Sequence, residues 1–285
     1  MFYSQAQWLL FFFLYCFLGW VWECLYVSAL KRQWINRGFL YGPLIPIYGF
    51  GAITVLWITL PVRGSIPLIF LFGMVGATIL EYFTGAAMER LFHVRYWDYS
   101  NNHFNLNGHI CLFCSLGWGV FSVLMVKVLH LPFENAVLKI PENIANLTST
   151  VLVAVFAADT TKSVQSALDF RELLQELTER SAVLSSLEDK LENVSENIAQ
   201  SSERLHEHIH EIESELRENR EMLAEKRETL RQSYKKALHE RLRERKVKTA
   251  LNIIRRNPSA ISPKFKESFH ELKELFEAQR RNREE

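Results

Sequence analysis

Beyond Phe121 the chain has no glycine, no tryptophan and no cysteine; all twelve glycines, seven tryptophans and four cysteines come earlier. From Ser163 onward, 24 Lys/Arg face 25 Asp/Glu in 123 residues. One evenly composed globular domain is thereby excluded: an apolar part of about 160 residues precedes a charged, balanced one. The net charge of +1 averages two unlike halves and says nothing about partners. The opening MFYSQAQ lacks a basic n-region, which argues against a cleaved secretory signal. Cys16, Cys24, Cys111 and Cys114 all fall in apolar segments, so their spacing is not a secreted disulfide framework. No Gly or Pro stands between Pro141 and Pro258, so nothing in that stretch breaks a helix.

What is present in the first half is apolar length. A membrane-crossing helix needs about 20 mostly apolar residues, and five segments qualify: 7–30, 44–61, 66–90, 109–130 and 143–162. The fifth is the most polar. Pro61–Pro67 and Pro132–Pro141 predict tight turns between helices. Lys31, Arg32 and Arg37 follow the first span, Arg90 and Arg95 the third, and Lys162 the fifth. The other side has mainly Arg63 and Lys139, with Lys127 nearby. Basic residues in short loops stay in the cytoplasm, so the N-terminus is expected outside and the tail in the cytoplasm of a multi-pass cell-membrane protein.

ECLYVSALKRQWINR (Glu23–Arg37) and EYFTGAAMERLFHVR (Glu81–Arg95) share Glu, Ala, Arg and Arg at an offset of 58. The match resumes at Gly49–Gly51 (GFG) and Gly117–Gly119 (GWG), offset by 68, with ten extra residues near YSNNHFNLN. This spacing predicts two helical hairpins of the same orientation, spans one–two and three–four, an arrangement known in transporters. Gly73, Ala77, Glu81 and Gly85 lie on one helical stripe, as do Gly19 and Glu23. Small residues let helices approach closely in lipid, so both glutamates are expected to face protein. Asp159 joins them at the level of the basic loop residues.

An ionisable group at membrane depth costs about 2.5–3.5 kcal/mol on insertion scales and marks a functional site by default. Two readings follow. Glu23, Glu81, Glu89, Arg32, Arg90, Arg95, Asp98 and Asp159 form a polar site near the cytoplasmic side that binds an ion, proton or polar solute. Alternatively they form an internal network in which the acids pair with arginines or cap backbone groups.

Two loops are richer than connectors need to be: Arg37–Gly51, with Gly42, Pro43, Pro46 and Tyr48, and His93–Phe113, with Trp97, Asn107 and Gly108. Irregular backbone at membrane depth requires cover by protein or a wet cavity, so both loops are expected to dip inward. GFLYGPLIPIYGFG, the Glu81–Glu89 helix, WDYS (Trp97–Ser100) and NLNGHICL (Asn105–Leu112) together resemble the putative type-IV ABC-transporter permease family, bacterial integral membrane proteins, over residues 5–130. The resemblance implies a permease-like transport subunit of unassigned substrate. The chain has no GxxxxGK[ST] phosphate loop, so a separate ATP-binding subunit would have to dock on it.

Other chemistry finds less support. CLFC (Cys111–Cys114) has metal-ligand spacing, with His103, His109 and Cys24 as conceivable neighbours, but a second strong pair is missing. His93, Asp98 and His103 share a loop without a nucleophile motif, and Trp97 and Tyr99 read as interfacial anchors. No enzyme, cofactor or metal is expected.

In the tail, Phe170, Leu177, Leu184, Leu191, Ile198 and Leu205 recur every seven residues, with Leu173, Leu187 and Val194 as partners. The seam resumes at Ile209, Ile212, Leu216, Leu223 and Leu230 after a four-residue shift near Ser201. Arg180, Ser201, His208, Asn219 and Lys226 interrupt it. A coiled coil is expected over a solvated single helix, and a parallel homodimer over an antiparallel hairpin. Asn257–Pro258 ends the helix, and Phe265, Phe269, Leu272 and Phe276 mark a short amphipathic helix that folds back on the coil, binds a partner or touches the membrane. Interleaved charge speaks against nucleic-acid binding.

The fold class is therefore an all-α membrane protein: an integral membrane domain (1–162), a cytoplasmic coiled coil (163–256) and a C-terminal amphipathic helix (257–285). Its partners are the bilayer, a second copy of the chain and an ATP-binding subunit. The alternative is a membrane-anchored coiled-coil scaffold without transport activity.

Overall fold

A computed structural model describes residues 3–204, 221–222, 224–229, 232–233 and 245–284. The coil positions Leu205, His208, Ile209, Ile212, Leu216, Asn219, Leu223 and Leu230 lie outside these. The described residues are predominantly helical, with almost no strand: α1 (Gln5–Lys31), α2 (Pro46–Thr59), α3 (Ile66–Phe92), α4 (Leu112–Leu124), α5 (His130–Leu138), α6 (Glu142–Arg204), α7 (Arg245–Arg256) and α8 (Lys266–Glu284). They fall into two compact units, Met1–Arg171 with Asn252–Lys266, and Glu172–Leu251 with Glu267–Glu285.

Local chemistry sets the helix ends of the first unit. Ser4 and Gln7 form a reciprocal capping box at the start of α1. Arg32 and His93 close α1 and α3 in the left-handed conformation. Proline occupies the first turn of α2 and of α3, where its missing N–H costs nothing. Four helices are long and apolar enough to cross a membrane: Gln5–Lys31, Ile66–Phe92, Leu112–Leu138 and Glu142–Val194. The second segment, Pro46–Val62, is shorter.

Pro132 does not end the fourth span. Met125–Leu129 widens into a π turn and the helix continues as α5 to Leu138. A widened turn re-aims the carbonyls that Pro132, lacking an N–H, would leave unpaired.

α1 packs on α2, α3 on α4, and α2 on α3. Close glycines govern these crossings. A Cβ on Gly49 would lie 2.8 Å from the Phe12 ring, and one on Gly119 would lie 2.6 Å from the Phe70 ring. Phe12 and Phe70 are 58 apart, Gly49 and Gly119 are 70 apart. The structural register of the second helices is therefore 70 rather than the 68 read from GFG and GWG. A two-residue slip turns a helix by about 200°, so only one glycine of each GxG can face its partner. Gly51 and Gly117 have nothing within 4 Å.

In the second unit, Lys246 reaches Glu172 at 3.3 Å and Thr178 shares a 2.8 Å hydrogen bond with Ser268. Leu173, Leu174, Leu177, Val247, Ala250, Phe269 and Leu272 are buried in that unit. Further along α6, Val183, Leu187 and Val194 are exposed.

Candidate functional site

Both membrane acids turn inward. Glu23 accepts the Tyr48 hydroxyl at 2.8 Å and the Arg37 Nε at 3.3 Å. Glu81, 6% exposed, accepts the Trp118 indole N–H at 2.8 Å and the Tyr99 hydroxyl at 3.1 Å. Tyr48 and Trp118 follow the register of 70, each one residue before the glycine that brings its helix close. The predicted stripe Gly73, Ala77, Glu81, Gly85 is buried throughout.

The two sites differ in charge. Arg37 and Arg95 match in sequence, yet Arg37 pairs with Glu23 whereas Arg95 pairs with Glu89 at 2.7 Å and Asp98 at 3.2 Å. The second loop offers Arg95 two acids, Glu89 and Asp98, where the first repeat has Lys31 and Leu40 at the offset of 58; Asp159 bonds Tyr41 and Gly42 instead, and Arg37 pairs with Glu23. Glu81 consequently has neutral donors only, and no ion pair to it exists among the described residues.

The second loop provides the lid of this site. It forms a small hairpin, Asn105–Leu106 against Ile110–Cys111. Three residues, Asn107 to His109, connect the strands; Asn107 and Gly108 turn the chain with φ of 55° and 73°, and the His109 N–H closes the turn on the Leu106 carbonyl at 3.1 Å. The extra length of this loop accommodates the hairpin. A Cβ on Gly108 would lie 2.5 Å from Ser100 Oγ and 2.6 Å from Asp98 Oδ1. Asn107 Nδ2 donates to the Tyr82 hydroxyl at 3.1 Å. His109 Nε2 lies 3.3 Å from Glu89; burial keeps its imidazole below the ordinary range despite the pull of that acid.

Trp97 and Tyr99 were expected as interfacial anchors, but both bond inward, Trp97 to the His109 carbonyl at 3.0 Å and Tyr99 to Glu81. For Tyr99, a buried carboxylate that needs donors outweighs the headgroup preference of the ring; for Trp97, the backbone carbonyl takes the indole N–H. His93 faces Lys264 and Phe265 while Asp98 bonds Arg95 and Ser100, so the structure separates the loop's acid–base candidates. Cys111 accepts the Cys114 N–H as the α4 N-cap. Among the described residues, no group of three or more His, Cys, Asp or Glu is placed to hold a metal.

Asp159 belongs to the first loop. Its carboxylate accepts Tyr41 N–H at 3.0 Å, Gly42 N–H at 2.8 Å and the Ser163 hydroxyl at 3.3 Å. A Cβ on Gly42 would stand 2.9 Å from it. Pro43 is exposed beside this contact, and Pro46 opens α2. Arg32 and Arg90 are exposed and join neither site.

Two groups escaped sequence reasoning. At the opposite end of α1 from the loops, buried His130 pairs with the Tyr3 hydroxyl at 3.1 Å and the Tyr15 hydroxyl at 2.9 Å, and Tyr3 donates to Glu134. The spacing of His130 and Glu134 by four was the available signal. At the loop end, the segment after α7 adds itself to the loops. Arg95 and Ile261 exchange backbone hydrogen bonds at 2.8 and 3.0 Å, and the Ser262 hydroxyl donates to the His93 carbonyl at 2.6 Å. Nothing in the sequence announces this docking.

A family model described as Putative ABC-transporter type IV matches residues 10–164, which takes in both hairpins, both loops and Asp159. No curated protein and no solved structure matches the chain.

Proposed function

This chain belongs to the Putative ABC-transporter type IV family, and on that premise we propose that it is the membrane-embedded subunit of a transporter whose polar group is Glu81. One observation carries the proposal: Glu81 is enclosed at membrane depth with two neutral donors, whereas its repeat partner Glu23 is neutralised by Arg37. A carboxylate without a fixed countercharge keeps the capacity to take a proton, a cation or the cationic group of a solute. The loop over it, held by Tyr99, is the element that would move to admit one. The N-terminus lies outside and the tail in the cytoplasm, a topology supported by the basic residues gathered at the loop end.

Energy would come from a separate ATP-binding subunit. Purification of the full chain from its native membrane in mild detergent tests this: a phosphate-loop ATPase should travel with it in constant ratio. Recovery of the chain without any nucleotide-binding protein, under conditions that preserve other membrane complexes, argues against the reading.

The tail supports a complementary proposal, self-association through α6, because Leu187 and Val194 stand seven apart and exposed. The solution mass of the detergent-solubilised protein should be that of a dimer, and glutamate at both positions should yield monomers. A monomeric wild-type chain would favour the single solvated helix. Self-association is also what the scaffold alternative requires, so the ATPase experiment decides between the two readings.

A further inference from the structure

A second polar site lies apart from Glu81, where the first loop, the part of α6 beyond Asp159 and the end of α7 meet. Gly38, Tyr41, Ser163, Ser166, Asn252 and Arg256 line a cleft there. Its void is about 10 Å³, room for no more than one water-sized group, and it is partly open to the surface. Arg256 is only 9% exposed, and its Nε and Nη2 have no hydrogen-bond partner. The Tyr41 ring stacks 5.1 Å from its Cζ, and Lys162 Nζ stands 4.8 Å from the same ring. The Tyr41 hydroxyl donates to Ser166 at 2.9 Å.

Leaving two guanidinium N–H groups buried and unpaired is costly, because charged donors lose strong hydration and regain nothing. Asp159 is the acid that acts on Arg256 through space. Its oxygens bond Tyr41, Gly42 and Ser163 and not the guanidinium, whose Nε and Nη2 edge stays unpaired. Nε and Nη2 form one side of the guanidinium fork, the side that receives two oxygens of a phosphate or carboxylate in parallel. Arg37 adds positive charge nearby, bonding the Arg256 carbonyl at 3.3 Å.

We propose that this cleft is a phosphate-binding site, with the side-on edge of Arg256 taking two phosphate oxygens, one in the void and the other at its open mouth with the rest of the group. The phosphate comes from a lipid headgroup or from a free phosphate, and both present the same two oxygens. The site goes beyond transport at Glu81: it would tie the returning C-terminal segment to the membrane domain when the anion is bound.

The test uses the full chain in phosphate-free detergent and in nanodiscs. Thermal unfolding is followed with inorganic phosphate against chloride at equal ionic strength, and in phosphatidylcholine discs with and without phosphatidylglycerol. Wild type should be stabilised in at least one arm; the phosphate arm alone identifies a free anion, the lipid arm alone a headgroup. Arg256→Lys keeps the charge but loses the fork, and its response should weaken by at least about tenfold. Arg256→Gln should abolish it, whereas Arg255→Gln, at an exposed position, should respond as wild type. No stabilisation of wild type in either arm overturns the proposal. An equal response in the wild type and Arg256→Lys overturns it too, even if Arg256→Gln does not fold.

Discussion

At the scale of single residues, the second repeat depends on how Glu81 is satisfied. Trp118 can only donate, whereas Tyr99 can donate or accept. Glutamine at position 81 can keep the indole bond on its oxygen and donate its amide to Tyr99, so Glu81→Gln should fold with little loss of stability. Alanine strands both donors in a buried site, at about 1–3 kcal/mol each. Thermal unfolding in detergent should therefore separate Glu81→Ala, strongly destabilised, from Glu81→Gln, near wild type. Equal loss in the two variants would mean that the acid's charge, rather than its acceptor capacity, holds the site together. The inward direction of Glu81 was legible in the sequence because glycine and alanine share its stripe. Its partners were not. Tyr99 comes from an irregular loop, and no periodicity reports where such a side chain points.

At the scale of elements, the helix pairs were legible and their register was not. GFG and GWG look alike, and sequence similarity set them side by side. Only backbone approach distinguishes the glycine that touches a neighbour from the one that faces outward. Gly49→Ala places a methyl against Cys16 Sγ and the Phe12 carbonyl, and Gly119→Ala places one against the Phe70 ring. Both should lower stability, Gly49→Ala the more, since a backbone oxygen cannot rotate away as a ring can. Gly51→Ala and Gly117→Ala meet open space and should be neutral, or stabilising by up to about 1 kcal/mol through helix propensity. A scan of the four alanine variants by thermal unfolding reads the register directly; Gly49→Ala behaving like Gly117→Ala, and Gly51→Ala like Gly119→Ala, would restore the offset of 68. The continuation of the fourth span past Pro132 has a similar origin. Sequence rules treat proline as a stop, and a π turn that absorbs it has no residue signature of its own.

At the scale of the molecule, the chain uses a duplicated plan and then breaks its symmetry with single substitutions. Lys31 and Leu40 stand where the second repeat has Glu89 and Asp98, the two equivalent arginines pair differently, and one membrane acid is neutralised and the other not. The tail adds a second departure. Residues 252–266 belong with the membrane unit although they come after about 80 intervening residues, and only folding discloses that return. The asymmetry of the two acids is the claim on which the functional reading depends. It is tested most directly with a lipid-soluble carbodiimide, which modifies protonated carboxyl groups inside membranes, followed by peptide mass analysis of the full chain. Labelling of Glu81 with Glu23 left unmodified is the result expected; equal labelling of the two, or labelling of Glu23 alone, would contradict it.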